Sequence, residues 1–232
     1  MNPESRSYSP EEREAIERLR PVWFETVVGL GGNAEFLEET FGDLVQKYRA
    51  GSARAYHNIL HIDRMVTIVR KFTHLAKRPH ELQAAIFGHD SVYNAGSPTN
   101  EAESADVTVE ILQKLGVSQD SIDETRRLIM ISKDHKTTDG DVDGQIMIDG
   151  DYEILGSPPP IYRWYSTGIY AENVGSGKVS VGDYKIGRGR YLGGWLRQIE
   201  ENSLFHTPEI RDTLQPQAFQ NISNELKLIE NL

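Results

Sequence analysis

Apolar residues recur every three or four positions along most of the chain, the spacing that turns one face of a helix toward a core. The first run, SPEEREAIERLRPVWFETVVGL, begins with Ser9 as an N-cap, Pro10 at the first helical position and Glu12 completing a capping box. Pro21 should kink or split this helix, since proline removes a donor from its interior. NAEFLEETFGDLVQKY puts Phe36, Leu37, Phe41, Leu44 and Val45 on one side, and after the Gly51-Ser52 break HNILHIDRMVTIVRKFTHLA repeats the pattern. LQAAIFGHDSVYN reads as a buried helix that ends on a histidine and an aspartate. NEAESADVTVEILQKLG closes on Gly116, a C-cap signal, and Ser118 caps QDSIDETRRLIMISK. The polar DHKTTDGDVDGQ is expected to be a loop, IMIDGDYEILG a short helix, and SPPP the start of another through IYRWYSTGIYAENV. GSGKVSVGDYKIGRG, residues 175–189, breaks the pattern: frequent glycine and the alternation of Val179 and Val181 predict a loop or weak hairpin. RYLGGWLRQIEENSLF and QPQAFQNISNELKLIENL are helical to the end. The expectation is an all-α bundle of about eight to ten helices.

Composition narrows what such a bundle can do. Thirty-five acidic against twenty-five basic residues give a net charge of −10, which opposes a broad nucleic-acid or anionic-membrane surface. No apolar run approaches membrane-spanning length, and the polar, acidic N-terminus lacks the features of a secretory signal, so a soluble cytoplasmic protein is expected. Cysteine is absent, which leaves nitrogen and oxygen as the ligands of any metal. No repeat or linker divides the 232 residues, and one domain is expected.

Against that background the polar residues that interrupt apolar faces carry the chemistry. His57 and His61 stand four apart, on one side of a helix if both are helical, with Arg64 near that side. A zincin helix would place glutamate directly after the first histidine, and Asn58 occupies that position. His89-Asp90 alone reads equally well as a helix end, and Asp149 and Asp151 as an N-cap and a first-turn acid. In combination, two imidazoles and two carboxylates on successive helices make a mixed donor set suited to a divalent transition metal. The acidic run DGDVDG lacks the glutamate that closes a calcium loop, so a solvated loop is expected, and the glycines at 182–194 suggest flexible cover over a pocket.

The order H…HD…D, with Arg54 and YHNILH, FGHDSVY, NEAESA, SKDH and DGDYEILG, resembles the HD-domain superfamily, and within it a branch of predicted metal-dependent phosphohydrolases. GRGRYL and FHT at 205–207 extend the similarity to most of the chain. Three positions depart: Gly88 separates Phe87 from His89, the IRxEY of the branch reads IYAEN at 169–173, and Phe219 stands where an ARxN motif has arginine. The resemblance implies a metal-site core over about 54–156 with a C-terminal helical extension over about 157–232. It implies His61, His89, Asp90 and Asp149 as metal ligands; residues two apart on a helix point about 200° from each other, so Asp151 replaces Asp149 if the helix is turned. Manganese, magnesium, iron, cobalt, nickel or zinc would then activate a water for attack on a small phosphorylated substrate, a nucleotide among the candidates. Around that centre, His57 would orient water or substrate, Arg64 or Lys133 pair with phosphate, Glu101 accept a proton, and His135 touch metal or substrate. Two other readings stay open, a non-catalytic helical binding module with a structural or lost metal, and a two-metal HD oxygenase with His135 as a ligand. Homo-oligomerisation is left open.

Overall fold

The computed structural model describes residues 8–49 and 54–230; Gly51 and Ser52 and the last two residues lie outside them. Ten α-helices and short 3-10 and π turns make up the architecture, and no strand occurs among the described residues. The all-α bundle expected from the apolar spacing is the fold.

The helix signals in the sequence work as local chemistry requires. α1 (Pro10–Gly29) starts from Ser9, whose side chain accepts from Glu12 N at 3.1 Å while the Glu12 carboxylate accepts from Ser9 N at 2.7 Å. Pro21 does not split it. Both Pro21 and Glu17, whose carbonyl loses its donor, face solvent, where water can replace the missing bond. α2 (Leu37–Lys47) follows a 3-10 turn, and α3 (Ile59–Val69) starts from Asn58, whose side chain accepts from Leu60 N. α4 (Pro79–Gly88) ends with His89 as its cap. α5 (Asn100–Lys114) closes through Gly116 at φ +71, and Ser118 caps α6 (Gln119–Ile131). α7 (Val142–Asp151) begins inside the stretch expected to be loop, because Asp141 caps it by accepting from Gly144 N. The acidic run is therefore not simply solvated. Asp141 also pairs with Arg127, and buried Asp143 accepts from the backbone N–H groups of Lys77 and Arg78.

A 3-10 turn (Tyr152–Gly156) leads to α8 (Pro159–Tyr170), a π turn (Ala171–Gly175), α9 (Val181–Glu200) and α10 (Pro208–Glu230). α9 overturns the expected loop or hairpin over 175–189 and the flexible cover over 182–194. Ser180 caps it, and its inward residues are Arg188, Leu192 and Ile199. A charged side chain holds the first of these positions, so the apolar pattern is blank where the helix is anchored.

Two hydrophobic clusters result. α1 to α7 surround the larger one, with Trp23, Ile62, Met65, Leu82, Phe87 and Ile148 near its centre. The smaller joins Tyr56, Ile154 and Leu155 to α8, α9 and α10 through Tyr165, Leu192 and Ile222, and Tyr152 packs against both. Among the described residues no helix is long and apolar enough to cross a membrane.

Candidate metal centre

The polar interruptions converge where the two clusters meet. α3 supplies His61, the end of α4 supplies His89 and Asp90, and the last residue of α7 is Asp151. Close approach of α7 to α3 makes this convergence geometrically attainable: a Cβ on Gly150 would lie 2.5 Å from Val69 Cγ2, so a residue with a side chain would force the helices apart.

His61 Nε2 lies 3.2 Å from His89 Nε2 and 3.3 Å from Asp151 Oδ1. Asp90 Oδ2 is 3.2 Å from His89 Nε2 and 3.7 Å from His61 Nε2. Both histidines are buried, 2% and 1% exposed, so water cannot relieve unfavourable contacts between them. The remaining ring nitrogens fix what the Nε2 atoms can be. His89 Nδ1 is 3.0 Å from the Ile86 carbonyl, which only accepts, so it must carry a hydrogen; in the neutral ring Nε2 is then a bare lone pair. His61 Nδ1 is 3.0 Å from the Tyr56 hydroxyl. The pocket thus gathers two imidazole nitrogens and two carboxylates, and among the described residues no lysine or arginine is bonded to those four side chains. A proton or a metal ion placed among them would offset the charge of the two carboxylates. Burial alone would lower the pKa of His89, but Asp90 and Asp151 outweigh it and raise it to about 9. Burial works in the opposite direction on the acids, and it too is outweighed. The imidazoles hold Asp90 and Asp151 below the usual carboxylate range.

Asp149 is not part of this group. Its carboxylate is turned to the far side of α7 and accepts from the backbone N–H groups of His206 and Thr207 at 2.7 Å each, anchoring the FHT segment that leads into α10. The place in the cluster expected of Asp149 is taken by Asp151, because α7 is rotated with Gly150 against α3. His135 reaches the other oxygen of Asp151, with Nε2 2.9 Å from Oδ2, and stacks on Tyr152 at 4.3 Å. It does so from a left-handed backbone conformation, φ +51, uncommon outside glycine.

Three other expected residues lie outside the cluster. Arg64 forms a bidentate pair with Glu153, both bonds 2.9 Å, and donates to Ser157 Oγ. Lys133 is exposed and donates to the Pro98 carbonyl. Glu101 sits in the first turn of α5, and among the described residues no hydrogen bond ties it to the cluster. His57 is beside the cluster, its ring centroid 6.0 Å from that of His61, but it precedes α3 instead of sharing its face. Asn58 takes the cap position, so the helix starts one residue further on.

Two residues of this neighbourhood stood in quoted motifs with no role assigned to them. Arg54 donates to the carbonyls of His57, Asp90 and Ser91, tying the approach to α3 to the end of α4. Glu172, wholly buried in the π turn, bonds to His57 Nδ1 at 2.7 Å. It is the glutamate of IYAEN, so the motif carried a signal for it. Comparison of the chain with protein-family models, with curated proteins and with solved structures finds no match.

Proposed function

We propose that this chain is a metal-dependent phosphohydrolase of the HD kind, acting on a small phosphorylated substrate. The observation that supports the reading best is the meeting of two imidazole Nε2 atoms at 3.2 Å with the carboxylates of Asp90 and Asp151 around them. His61, His89, Asp90 and Asp151 would hold the ion. Imidazole and carboxylate together suit manganese, iron, cobalt, nickel or zinc, and magnesium less well. A bound divalent ion supplies Lewis acidity, which makes water a nucleophile near neutral pH and offsets charge on a phosphoryl oxygen.

The protein's own part is orientation. Ile86 and Tyr56 fix the two ligand rings from behind, which sets the direction of the Nε2 lone pairs. His135 holds the outer oxygen of Asp151 and leaves the inner one beside His61. Arg54 clamps the Asp90 and Ser91 carbonyls and so keeps the end of α4 in register with the chain before α3.

The test is to strip the protein of metal, reload it with each of the six divalent ions in turn, and screen nucleotides and sugar phosphates for phosphate release. Hydrolysis that requires one of these ions, with both metal and activity lost in His89→Ala, is the expected result. No hydrolysis with any ion, or hydrolysis unchanged in His89→Ala, would overturn the proposal.

A further inference from the structure

The metal cluster continues outward as a row of aromatic rings that the ligand set does not use. His135, bonded to the outer oxygen of Asp151, stacks flat on Tyr152, with ring centroids 4.3 Å apart and planes 13° from parallel. Tyr152 meets Trp195 of α9 edge to face at 5.9 Å, and Trp195 meets Tyr191, one turn earlier, at 6.1 Å. Trp195 is fixed from within, because the Arg188 guanidinium lies 5.3 Å from its ring centre and is itself held by Glu225. The outer end of the row is open: Tyr191 is 67% exposed.

The helix around Tyr191 is bare. Gly187 and Gly194 stand four residues before and three after it, on its side of α9. Glycine inside a helix is destabilising relative to alanine, and close packing would explain it. Here no neighbouring element is close: a Cβ at Gly187 would meet nothing within 4 Å, and one at Gly194 only the Arg197 guanidinium, at 3.9 Å. Arg197 lies one turn beyond Gly194 and forms no ion pair among the described residues. Backbone free of side chains thus lies between a tyrosine ring and an unpaired guanidinium, at the end of the rings that lead from Asp151. A flat aromatic group suits that space, since it stacks on tyrosine and its π face attracts a guanidinium. We propose that the organic part of the phosphorylated substrate carries a planar aromatic ring, which lies over Gly194 against Tyr191 and beside Arg197 while the phosphate reaches the metal ligands. Tyr191 is then a specificity-determining residue. The pairing of ring with phosphate rests on the phosphohydrolase reading.

Two matched pairs of phosphate monoesters separate the ring from the phosphate, assayed with whichever divalent ion supports phosphate release. AMP and ribose 5-phosphate differ by a nucleobase; 2-phenylethyl and ethyl phosphate differ by a ring without a sugar. In at least one pair the ring-bearing ester should have the lower KM, and Tyr191→Ala should raise that KM about 10-fold, with kcat, metal content and the KM of the ring-free ester within about twofold of wild type. A response in the first pair names a nucleobase as the ring, and one in the second an aryl group. Tyr191→Phe keeps the stacking face and should keep the wild-type KM, and Arg197→Gln should raise it about two- to fivefold. Because Tyr191 is exposed, Tyr191→Ala should stay folded. Nitrogen-15 NMR gives a readout independent of turnover: adenosine or 2-phenylethanol, which carry a ring and no phosphate, should shift the Trp195 indole signal in the wild type and not in Tyr191→Ala. Equal KM values within both pairs overturn the proposal, as does a KM indifferent to Tyr191→Ala or a rise shared by all four esters. If no ester is hydrolysed with any ion, the phosphohydrolase reading fails and the indole signal alone decides the ring site: a shift lost in Tyr191→Ala upholds it, and no shift in the wild type removes it.

Discussion

Both halves of the molecule bury charge, and they do so in opposite ways. Between α9 and α10, Arg188 meets both oxygens of Glu225 at 2.8 and 3.0 Å and donates a third bond to the Tyr165 hydroxyl at 2.9 Å. Tyr162 donates to the same carboxylate, and the guanidinium lies over the rings of Tyr165 and Trp195. Donors equal acceptors in kind and plus equals minus, so this group is complete within the protein. At the end of the larger cluster, His61, His89, Asp90 and Asp151 gather two imidazoles and two carboxylates, with no lysine or arginine bonded to them. Their charge balance depends on an added proton or metal ion. Both groups are largely withdrawn from solvent, and the balance of donors and charge separates a pair closed within the protein from a cluster that an added ion would complete.

The comparison breaks most sharply at the C-terminal pair. Glu225→Ala leaves Arg188 buried without its partner and should cost about 3–5 kcal/mol in urea denaturation, whether or not metal is present. A loss under about 1 kcal/mol would mean that the pair does not anchor α9. Metal should act on the other half alone. A divalent ion at 100 to 1,000 times its Kd should add about 3–4 kcal/mol to the wild type and nothing to His89→Ala.

Acidity sharpens the contrast further. Metal and proton compete for His89, whose pKa is raised to about 9, so the ion must displace a proton at any lower pH. Apparent affinity should therefore rise with pH up to about 9, by up to about tenfold per unit, as calorimetric titrations would record. A flat profile would mean that His89 does not bind the ion. The smallest effect belongs to a residue outside both groups. Lys133→Ala should change stability by no more than about 0.5 kcal/mol and leave metal binding and turnover unaltered, measured by the same titrations.

What could be read in the chain follows the range of the interactions. Ser9, Gly116 and Ser118 act on neighbours within a turn or so, and the helix ends they mark stand where expected. His61, His89 and Asp90 were legible because motif order survives folding. The choice between Asp149 and Asp151 was not, since it depends on the rotation of α7, set by Gly150 against Val69 on another helix. α9 was missed because its inward anchor is Arg188, matched by a glutamate 37 positions away. Glu172 lies 115 positions from His57, and no local pattern connects them. The shared face of His57 and His61 required both to be helical, and Asn58 caps α3 after His57.

The rotation of α7 gives the most direct test of the metal centre. Metal content of the purified protein, counted by mass spectrometry for the wild type, Asp151→Asn and Asp149→Asn, compares two acids only two residues apart. The account predicts bound ion in the wild type and in Asp149→Asn, which should lose stability but keep its ligands, and little or none in Asp151→Asn. Metal retained in Asp151→Asn and lost in folded Asp149→Asn would contradict it.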